Sequence, residues 1–244
     1  MGQDNDQTVP IVEVNGFKVF AYPHYASNIL EVLTDNRYEG GERNVLPLLI
    51  EPGDRVLEIG SAIGVLAMVS ASIVGQENVI CFEANPKLIA DAKLNHFLNG
   101  FEINTVNCVL QNRVIWEGSG TLLPFYVRED FWASSLMHPV GSIETIYVPT
   151  KCLEEQIEQF GANVLVCDIE GGEVELLEHA DLTGINKILM EIHYSPGREV
   201  VNRMLRKLIL SGFNFNLDLT SHSIVTLHRG LSFPIPKISS QRES

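Results

Sequence analysis

Two acidic segments of the sequence carry the side chains best suited to proton transfer or metal binding. The segment CDIEGGE contains Asp168, Glu170 and Glu173, and the segment MEIHY contains Glu191 and His193. Each segment lies at the end of an apolar run that predicts a buried strand. Because residues two apart on a strand point the same way, the paired polar side chains of each segment are predicted to face one side of the sheet.

Several carboxylates and an imidazole in one cleft are costly unless they act on a substrate or an ion. One use is general base catalysis, in which His193 or Asp168 accepts the proton of a substrate hydroxyl. The other is a hard divalent cation such as Mg²⁺, which carboxylate and imidazole groups would bind. The candidate catalytic residues and the candidate metal ligands are the same four: Asp168, Glu170, Glu191 and His193. Glu173 has a second interpretation as an acid in the first turn of a helix, and Glu175 has only that one.

A glycine turn and an acidic residue follow two earlier apolar runs, RVLEI (55–59) and VICFE (79–83). Gly60 and Gly64 lie between the first run and a predicted helix, where they allow a tight turn and a close approach of a ligand to the backbone. Glu83 ends the second run, at the position from which a carboxylate accepts hydrogen bonds from a ribose diol. The turn matches neither GxGxxG nor a P-loop, so a nicotinamide-dependent or ATP-hydrolysing enzyme is disfavoured.

The elements that must position these motifs alternate between strand and helix from residue 55 to 213. This alternation predicts βαβ units and a mostly parallel sheet with helices on both faces. Ligands of such sheets bind beyond the carboxyl ends of the strands. The predicted core strands are 55–59, 79–83, 103–110, 163–170 and 187–193, and a terminal hairpin is predicted from 214–219 and 223–229.

Two domains or subdomains are predicted. Residues 1–45 form an N-terminal hairpin and helical cap, with Asn15-Gly16 as the hairpin turn. Residues 46–244 form a single domain with a β-rich excursion at 111–150. The apolar run 46–49 predicts either core or a homodimer interface. An uncharged stretch, 59–76, reads as a strand end, a loop and a buried helix rather than a membrane span.

The composition narrows the class of partner. The chain of 244 residues is 45% hydrophobic and 20% charged, which indicates a globular protein. Its net charge of -14 disfavours binding to nucleic acids or anionic membranes and favours a neutral or cationic small molecule or a basic peptide. Scattered cysteines without a CxxC pair, and a polar N-terminus, favour reduced thiols and a cytoplasmic location.

The motifs EIGSAIG, FEANP, CDIEGGEVELL and MEIHY, in this order over about residues 38–193, resemble the FkbM family of class I methyltransferases that use S-adenosylmethionine. The pair Tyr38-Glu39 ahead of the first strand also matches. Glu58 stands where the family often has Asp, and Ala84 replaces the family's proline. The resemblance implies a Rossmann-like, doubly wound, mostly parallel seven-stranded sheet with a C-terminal antiparallel hairpin.

The resemblance also implies roles for individual residues. The glycine turn would face the methionine part of the cofactor, Glu83 would hold the ribose, and the loop 109–112 would border the adenine. The implied cofactor-binding residues are Tyr38, Glu39, Glu58, Gly60, Ser61, Gly64, Glu83, Ala84, Asn85, Ser134 and Asp168. The candidate substrate-binding residues are Trp132 and Ser135 in the excursion, and His24 and Tyr25 in the N-terminal segment.

The expected function is therefore methylation of a hydroxyl on a small molecule, a sugar or a secondary metabolite, with S-adenosylmethionine as cofactor. One alternative keeps the cofactor and changes the acceptor to the nitrogen of a peptide or amine, whose positive charge the carboxylates would bind. Another is a non-catalytic module that binds the cofactor without turnover.

Overall fold

The computed structural model describes residues 9–118, 120–130 and 141–230. The chain begins with a hairpin of β1 (Ile11–Val14) and β2 (Phe17–Phe20), followed by helices α1 (Ser27–Thr34) and α2 (Gly40–Leu49). Asn15 and Gly16 both have positive φ, 53° and 82°, as a two-residue turn between such strands requires. The predicted boundary at 45/46 falls inside α2.

The rest of the described chain forms a large sheet and a small sheet, with helices between their strands. The elements that follow are, in chain order, β3 (Val56–Ile59), α3 (Val65–Val74), a 3₁₀ turn (Gln76–Asn78), β4 (Val79–Glu83), α4 (Pro86–Leu98), β5 (Asn104–Asn107), β6 (Val109–Gln111), α5 (Arg113–Trp116), β7 (Leu122–Val127), β8 (Glu144–Cys152), α6 (Leu153–Phe160), β9 (Val164–Cys167), α7 (Glu173–Leu177), β10 (Lys187–Glu191), α8 (Arg198–Leu210), β11 (Asn214–Phe215) and β12 (Ile224–His228).

The large sheet has seven strands in the order β11-β12-β10-β9-β3-β4-β5. The strands from β10 to β5 are mutually parallel, and β12 is antiparallel to both of its neighbours. This confirms the predicted fold, including the C-terminal hairpin. The chain leaves β3 in one direction through β4 and later returns on its other side through β9. The strand order therefore reverses between β3 and β9, where such sheets bind ligands.

Alternating residues of the central strands pack into two hydrophobic cores, one on each face of the sheet. Val56 belongs to the core that includes residues of α1, α2 and α3, whereas Leu57 belongs to the core that includes residues of α6, α7 and α8. All four residues of β3 are buried, as are those of β9. Strands buried on both faces read as continuous apolar runs, which is why the sequence pattern located them.

The predicted third strand, 103–110, is wrong in one respect, because it forms two strands in different sheets. β5 belongs to the large sheet, and β6 pairs with β8 in a three-stranded sheet of order β6-β8-β7. The chain leaves the large sheet at Cys108. The neighbouring Asn107 donates from its side-chain Nδ2 to the carbonyl oxygens of Glu83 and Ala84. The β-rich character predicted for 111–150 is seen in β7 and β8, which pair as antiparallel strands.

None of the helices in the described ranges is long and apolar enough to cross a membrane. The uncharged stretch 59–76 forms the end of β3, a turn and the buried helix α3, as predicted. Of the apolar run 46–49, Leu46 and Leu49 are buried in the core and Leu48 is exposed.

Candidate active site

The glycine turn between β3 and α3 has a left-handed backbone at three positions. Gly60, Ala62 and Gly64 have φ values of 83°, 44° and 82°. The amide of Gly60 donates to the carbonyl oxygen of Phe82 at 2.9 Å, which ties the turn to β4. Gly64 immediately precedes α3 as its N-cap residue.

Two side chains of helix α4 contact backbone carbonyl oxygens of this turn. Asn95 Nδ2 donates to the carbonyl oxygen of Ile63 at 3.0 Å, and His96 Nε2 lies 3.2 Å from that of Gly64. Burial lowers the pKa of His96 to about 4, although its contact with Gly64 acts in the opposite direction. His96 is therefore a neutral donor to the turn at physiological pH. No motif in the sequence indicated a role for His96, and the structure shows that it supports the turn.

Glu83 connects the turn to the start of α4. Its Oε2 accepts a hydrogen bond from the amide of Ala62 at 2.9 Å, and its Oε1 accepts one from Asn85 at 2.8 Å. Burial raises the pKa of Glu83, and the backbone hydrogen bonds counteract this. Asn85 itself caps α4, because its side chain accepts from the amide of Lys87.

Two further acids among the predicted cofactor-binding residues have raised pKa values, Glu39 ahead of α2 and Glu58 on β3. Tyr38 and Glu39 lie between α1 and α2, and Glu39 has a left-handed backbone with φ 49°. Burial, with the nearby charges of Glu58 and Glu42, raises the pKa of Glu39 well above its ordinary range. Glu58 is buried on β3, and burial raises its pKa to about 8.

These elements surround a cleft with a volume of about 450 Å³, which is a size typical of small-molecule sites. The predicted site residues that line it are Tyr38, Glu39, Gly60, Glu83, Ala84, Asp168, Glu170, Glu191 and His193. The predicted residues that the lining does not include are His24, Tyr25, Glu58, Ser61, Gly64 and Asn85. Trp132, Ser134 and Ser135 lie outside the described residues.

His24 and Tyr25 belong to an aromatic cluster beside α4. The rings of His24 and Tyr25 are 5.0 Å apart, and the Tyr25 hydroxyl donates to Asp91 Oδ2 at 2.6 Å. These contacts connect the N-terminal segment to α4, and they give the two residues a packing role in this structure.

The acidic segments do meet in the cleft, but not because their residues alternate along strands. The strands end at Cys167 and Glu191, so Asp168, Glu170 and His193 lie in the loops beyond them. Glu170 has a left-handed backbone with φ 52°, which turns the chain before α7. The expectation based on strand alternation was wrong in its reason, although the side chains line the same cleft.

His193 lies between two carboxylates. Its Nδ1 is 2.8 Å from Oε1 of Glu173, and its Nε2 is 3.3 Å from Oε2 of Glu170. Burial alone would lower the pKa of His193, but the hydrogen bond and charge of Glu173 and the charge of Glu170 outweigh it and raise this pKa to about 9. Burial raises the pKa of Glu170 to about 7, although the His193 charge lowers it.

A second group of acids adjoins this one. Glu42, Asp168 and Glu191 bring carboxylate oxygens within 4.8 Å of one another. Burial and the neighbouring Glu191 together raise the pKa of Glu42 to about 7. Burial and the charges of Glu191 and Glu170 raise that of Asp168 well above its ordinary range. Oδ1 of Asp168 is buried and has no hydrogen-bond partner among the described residues.

Sequence reasoning missed Glu42 and Phe125, which both line the cleft. Glu42 has no motif of its own. Its one signal is its position three residues after Glu39, a predicted cofactor-binding residue. Phe125 lies in an apolar strand, where a core role is the ordinary expectation.

A doubly wound sheet in this order, with a glycine turn after its first parallel strand and a carboxylate after the second, defines a Rossmann-like methyltransferase fold. The sequence model of the methyltransferase FkbM domain matches residues 58–217. The chain therefore belongs to the FkbM methyltransferase family, and it is an enzyme that uses S-adenosylmethionine. A search of curated proteins finds no match.

The solved structures that this chain is similar to include three methyltransferases. Ribosomal protein L11 methylase from Lactobacillus delbrueckii subsp. bulgaricus has 12% identity and a TM-score of 0.45, over 80% of this chain and 81% of that one. A methyltransferase from Pyrococcus furiosus has 13% identity and a TM-score of 0.46, over 89% and 91% of the two chains. TrmK from M. capricolum, solved with S-adenosyl-homocysteine, has 13% identity and a TM-score of 0.42, over 78% and 68%. At these identities the likeness concerns the fold alone.

Proposed function

We propose that this enzyme methylates a hydroxyl group of a small-molecule acceptor, a sugar or a secondary metabolite. The observation that carries the proposal is the contact between His193 and Glu170, 3.3 Å apart in the cleft. A hydroxyl is a weak nucleophile, and transfer of its proton to a positioned base accelerates its attack. The pair supplies such a base in the same cleft as the glycine turn.

The lining residues fit S-adenosylmethionine. Gly60 presents bare backbone to the cleft, and Glu83 offers a carboxylate suited to a ribose diol. The buried Oδ1 of Asp168, unpartnered among the described residues, is available to accept a hydrogen bond from an ammonium group. When bound, the cofactor supplies a methyl group whose carbon is electrophilic because it is attached to a sulfonium sulfur.

In the proposed reaction the acceptor oxygen bonds to the methyl carbon, the carbon–sulfur bond breaks, and the hydroxyl proton moves to the pair of His193 and Glu170. The products are a methyl ether and S-adenosylhomocysteine. Burial keeps the pKa of Glu170 at about 7, so a substantial fraction of this carboxyl can accept a proton at neutral pH. Because the two groups interact strongly, the proton belongs to the pair rather than to either member. Asp168 is the second candidate base.

Methylation of a nitrogen is the alternative that the second acidic group favours. The oxygens of Glu42, Asp168 and Glu191, within 4.8 Å of one another, would bind the ammonium group of an amine or a peptide. The bound ammonium must lose a proton to one of these carboxylates or to water before its nitrogen attacks the methyl carbon. Glu170 is not needed for that step, so its removal would have little effect on turnover.

A divalent cation is another use of the same donors. Besides the group around Glu42, the ligand atoms of Asp168, Glu170 and His193 also lie within 4.8 Å of one another. However, both ring nitrogens of His193 already contact carboxylates, so the ring would have to give up a partner to bind metal. We therefore assign the cluster to proton transfer and treat metal binding as the alternative.

The test is transfer of a labelled methyl group from S-adenosylmethionine to parallel panels of hydroxyl and amine acceptors. We expect methyl ether products, and a loss of about 100-fold or more in kcat for Glu170→Gln, the usual size of a general base contribution. Glu199→Gln is the matched control, since Glu199 is an exposed acid in the first turn of α8. Transfer to amines alone, with full turnover in Glu170→Gln, would contradict the proposal.

A further inference from the structure

Glu173 is a buried acid whose contacts exceed what its place on a helix requires. It begins α7, yet only 1% of its surface is exposed. Acids in the first turn of a helix ordinarily stabilise it from the surface, as the exposed Glu175 can do in the same helix. The side chain of Glu173 instead points inward, toward His193.

One oxygen of Glu173 accepts hydrogen bonds from three groups. Oε1 accepts hydrogen bonds from Nδ1 of His193 at 2.8 Å, from the amide of Gly171 at 3.1 Å and from the amide of Ile169 at 3.4 Å. The two amides belong to the loop after β9, and the imidazole follows β10. Glu173 therefore joins the ends of two neighbouring strands at a single atom.

This contact decides which ring nitrogen of His193 faces the cleft. A carboxylate oxygen only accepts hydrogen bonds, so Nδ1 donates to Glu173, and the direction of this nitrogen sets the direction of the other one. Nε2 is then directed toward Glu170. The three side chains form a line from Glu173 through His193 to Glu170.

Glu173 can do this without touching the substrate. The acids that approach His193 come from several elements: Glu42 on α2, Asp168 and Glu170 in the loop after β9, and Glu173 on α7. All of them except Glu173 line the cleft. The second oxygen of Glu173 is also buried, and it has no hydrogen-bond partner among the described residues. A side chain kept in this costly setting is best explained by the group it holds.

We propose that Glu173 is a positioning residue that fixes the ring orientation of His193 for the methyl transfer, with Nδ1 held by Glu173 and Nε2 directed toward Glu170. This inference rests on the proposed role of the pair of His193 and Glu170. The pair of Glu173 and His193 resembles other sites in which a carboxylate outside the reacting groups binds one nitrogen of a catalytic or metal-binding imidazole and so orients the ring.

The test compares Glu173→Gln, Glu173→Asp and the exposed-acid control Glu199→Gln. We expect Glu173→Gln to lower kcat at least tenfold, while the KM for the acceptor and the Kd for S-adenosylhomocysteine change less than twofold. Glu173→Asp keeps the charge and should recover part of kcat. Equal loss in the control, or unchanged kcat in Glu173→Gln, would overturn the inference. A tenfold weaker Kd would also overturn it, because Glu173 would then maintain the cofactor site instead.

A spectroscopic measurement separates this inference from the proposed function. The ring proton on Nδ1 of His193 should give a low-field NMR signal that is absent from His193→Gln, which assigns it. In Glu173→Gln the signal should move upfield or disappear, whether or not any hydroxyl acceptor is methylated. An unchanged signal would overturn the inference. If thermal denaturation shows that Glu173→Gln is unfolded, the same measurements are made on Glu173→Asp. A displaced NMR signal with a lowered kcat would then support the positioning role, and no change in the signal or in kcat would contradict it.

Discussion

A Cβ atom on Gly60 would lie 1.8 Å from the backbone carbonyl oxygen of Asp168. The turn after β3 and the loop after β9 therefore meet backbone to backbone, with no room for a side chain between them. Because Gly60 lines the half of the cleft that is proposed to hold the cofactor and Asp168 begins the acidic cluster, this contact fixes one half of the site relative to the other. Gly60 also has a φ of 83°, which glycine adopts without strain.

We predict that Gly60→Ala weakens binding of S-adenosylhomocysteine at least tenfold, about 1.4 kcal/mol or more. The new methyl group must displace the loop at Asp168. Titration calorimetry measures the affinity. Gly53→Ala is the matched control, since Gly53 also has a positive φ, 101°, but nothing lies within 4 Å of its added Cβ. Equal effects of the two substitutions would show that backbone strain, and not the contact with Asp168, is responsible.

Asn95 should be essential to the support beneath the glycine turn. Its side chain donates to Ile63 and accepts from the amide of Phe20 on β2, and it is fully buried. Asn95→Ala leaves both partners without their bond, which costs about 1–3 kcal/mol per buried group. We expect urea denaturation to show a loss of this order, with weaker S-adenosylhomocysteine binding. The exposed Asn202 on α8, changed to Ala, should lose neither.

Glu58 should make stability depend on pH. Burial raises its pKa from 4.5 to about 8, so the folded protein holds this proton over a range where the unfolded chain has lost it. Its stabilising contribution is full below about 4.5 and is lost as pH rises to about 8. Glu58→Gln cannot ionise, so its stability relative to wild type should be greater at pH 8 than at pH 5. The difference should reach a few kcal/mol at most, since one pKa unit corresponds to about 1.4 kcal/mol.

Urea denaturation of both proteins without cofactor, at pH 5 and pH 8, measures this difference. The other titrating groups are common to the two proteins and largely cancel. A stability difference that stays constant between the two pH values would show that Glu58 is not held protonated by burial.

The rate of methyl transfer to a hydroxyl should rise with pH. The accepting base must be unprotonated, and burial places the pKa of Glu170 at about 7. We expect kcat/KM to increase from pH 6 toward pH 8 in wild type, and Glu170→Gln to be slow and nearly independent of pH in this range. The measurement is a pH–rate profile of each protein with the same acceptor. A flat wild-type profile, or the same rise in Glu170→Gln, would exclude Glu170 as the base.

Sequence alone predicted the sheet because its central strands are buried on both faces. The runs at 55–59 and 79–83 are apolar apart from Arg55, Glu58 and Glu83. The turns between elements contain glycine or Asn85-Pro86, which end and start helices recognisably. The positions of Gly60 and Glu83 at the ends of their strands followed from these runs. The resemblance to the FkbM family was based on these two motifs together with CDIEGGEVELL, MEIHY and the pair Tyr38-Glu39, and the family match confirms it.

The rest of the site depends on packing that no local pattern encodes. Glu42 reaches Asp168 and Glu191 only because α2 packs against β10. The division of 103–110 at Cys108 depends on pairing between β6 and β8, more than 30 residues apart. The inward direction of Glu173 depends on the loop before α7, whereas its sequence position suits an ordinary acid at a helix start.

The central claim is that the cofactor lies across the carboxyl ends of β3 and β4 with its ribose held by Glu83. Titration calorimetry with S-adenosylhomocysteine tests it most directly, on wild type, Glu83→Ala and the exposed control Glu102→Ala, first with EDTA and then with Mg²⁺. We expect wild type and Glu102→Ala to bind alike, Glu83→Ala to bind at least tenfold more weakly, and Mg²⁺ to make no difference. Equal binding by all three proteins would contradict the assigned cofactor position, and binding that requires Mg²⁺ would assign the acidic cluster to a metal.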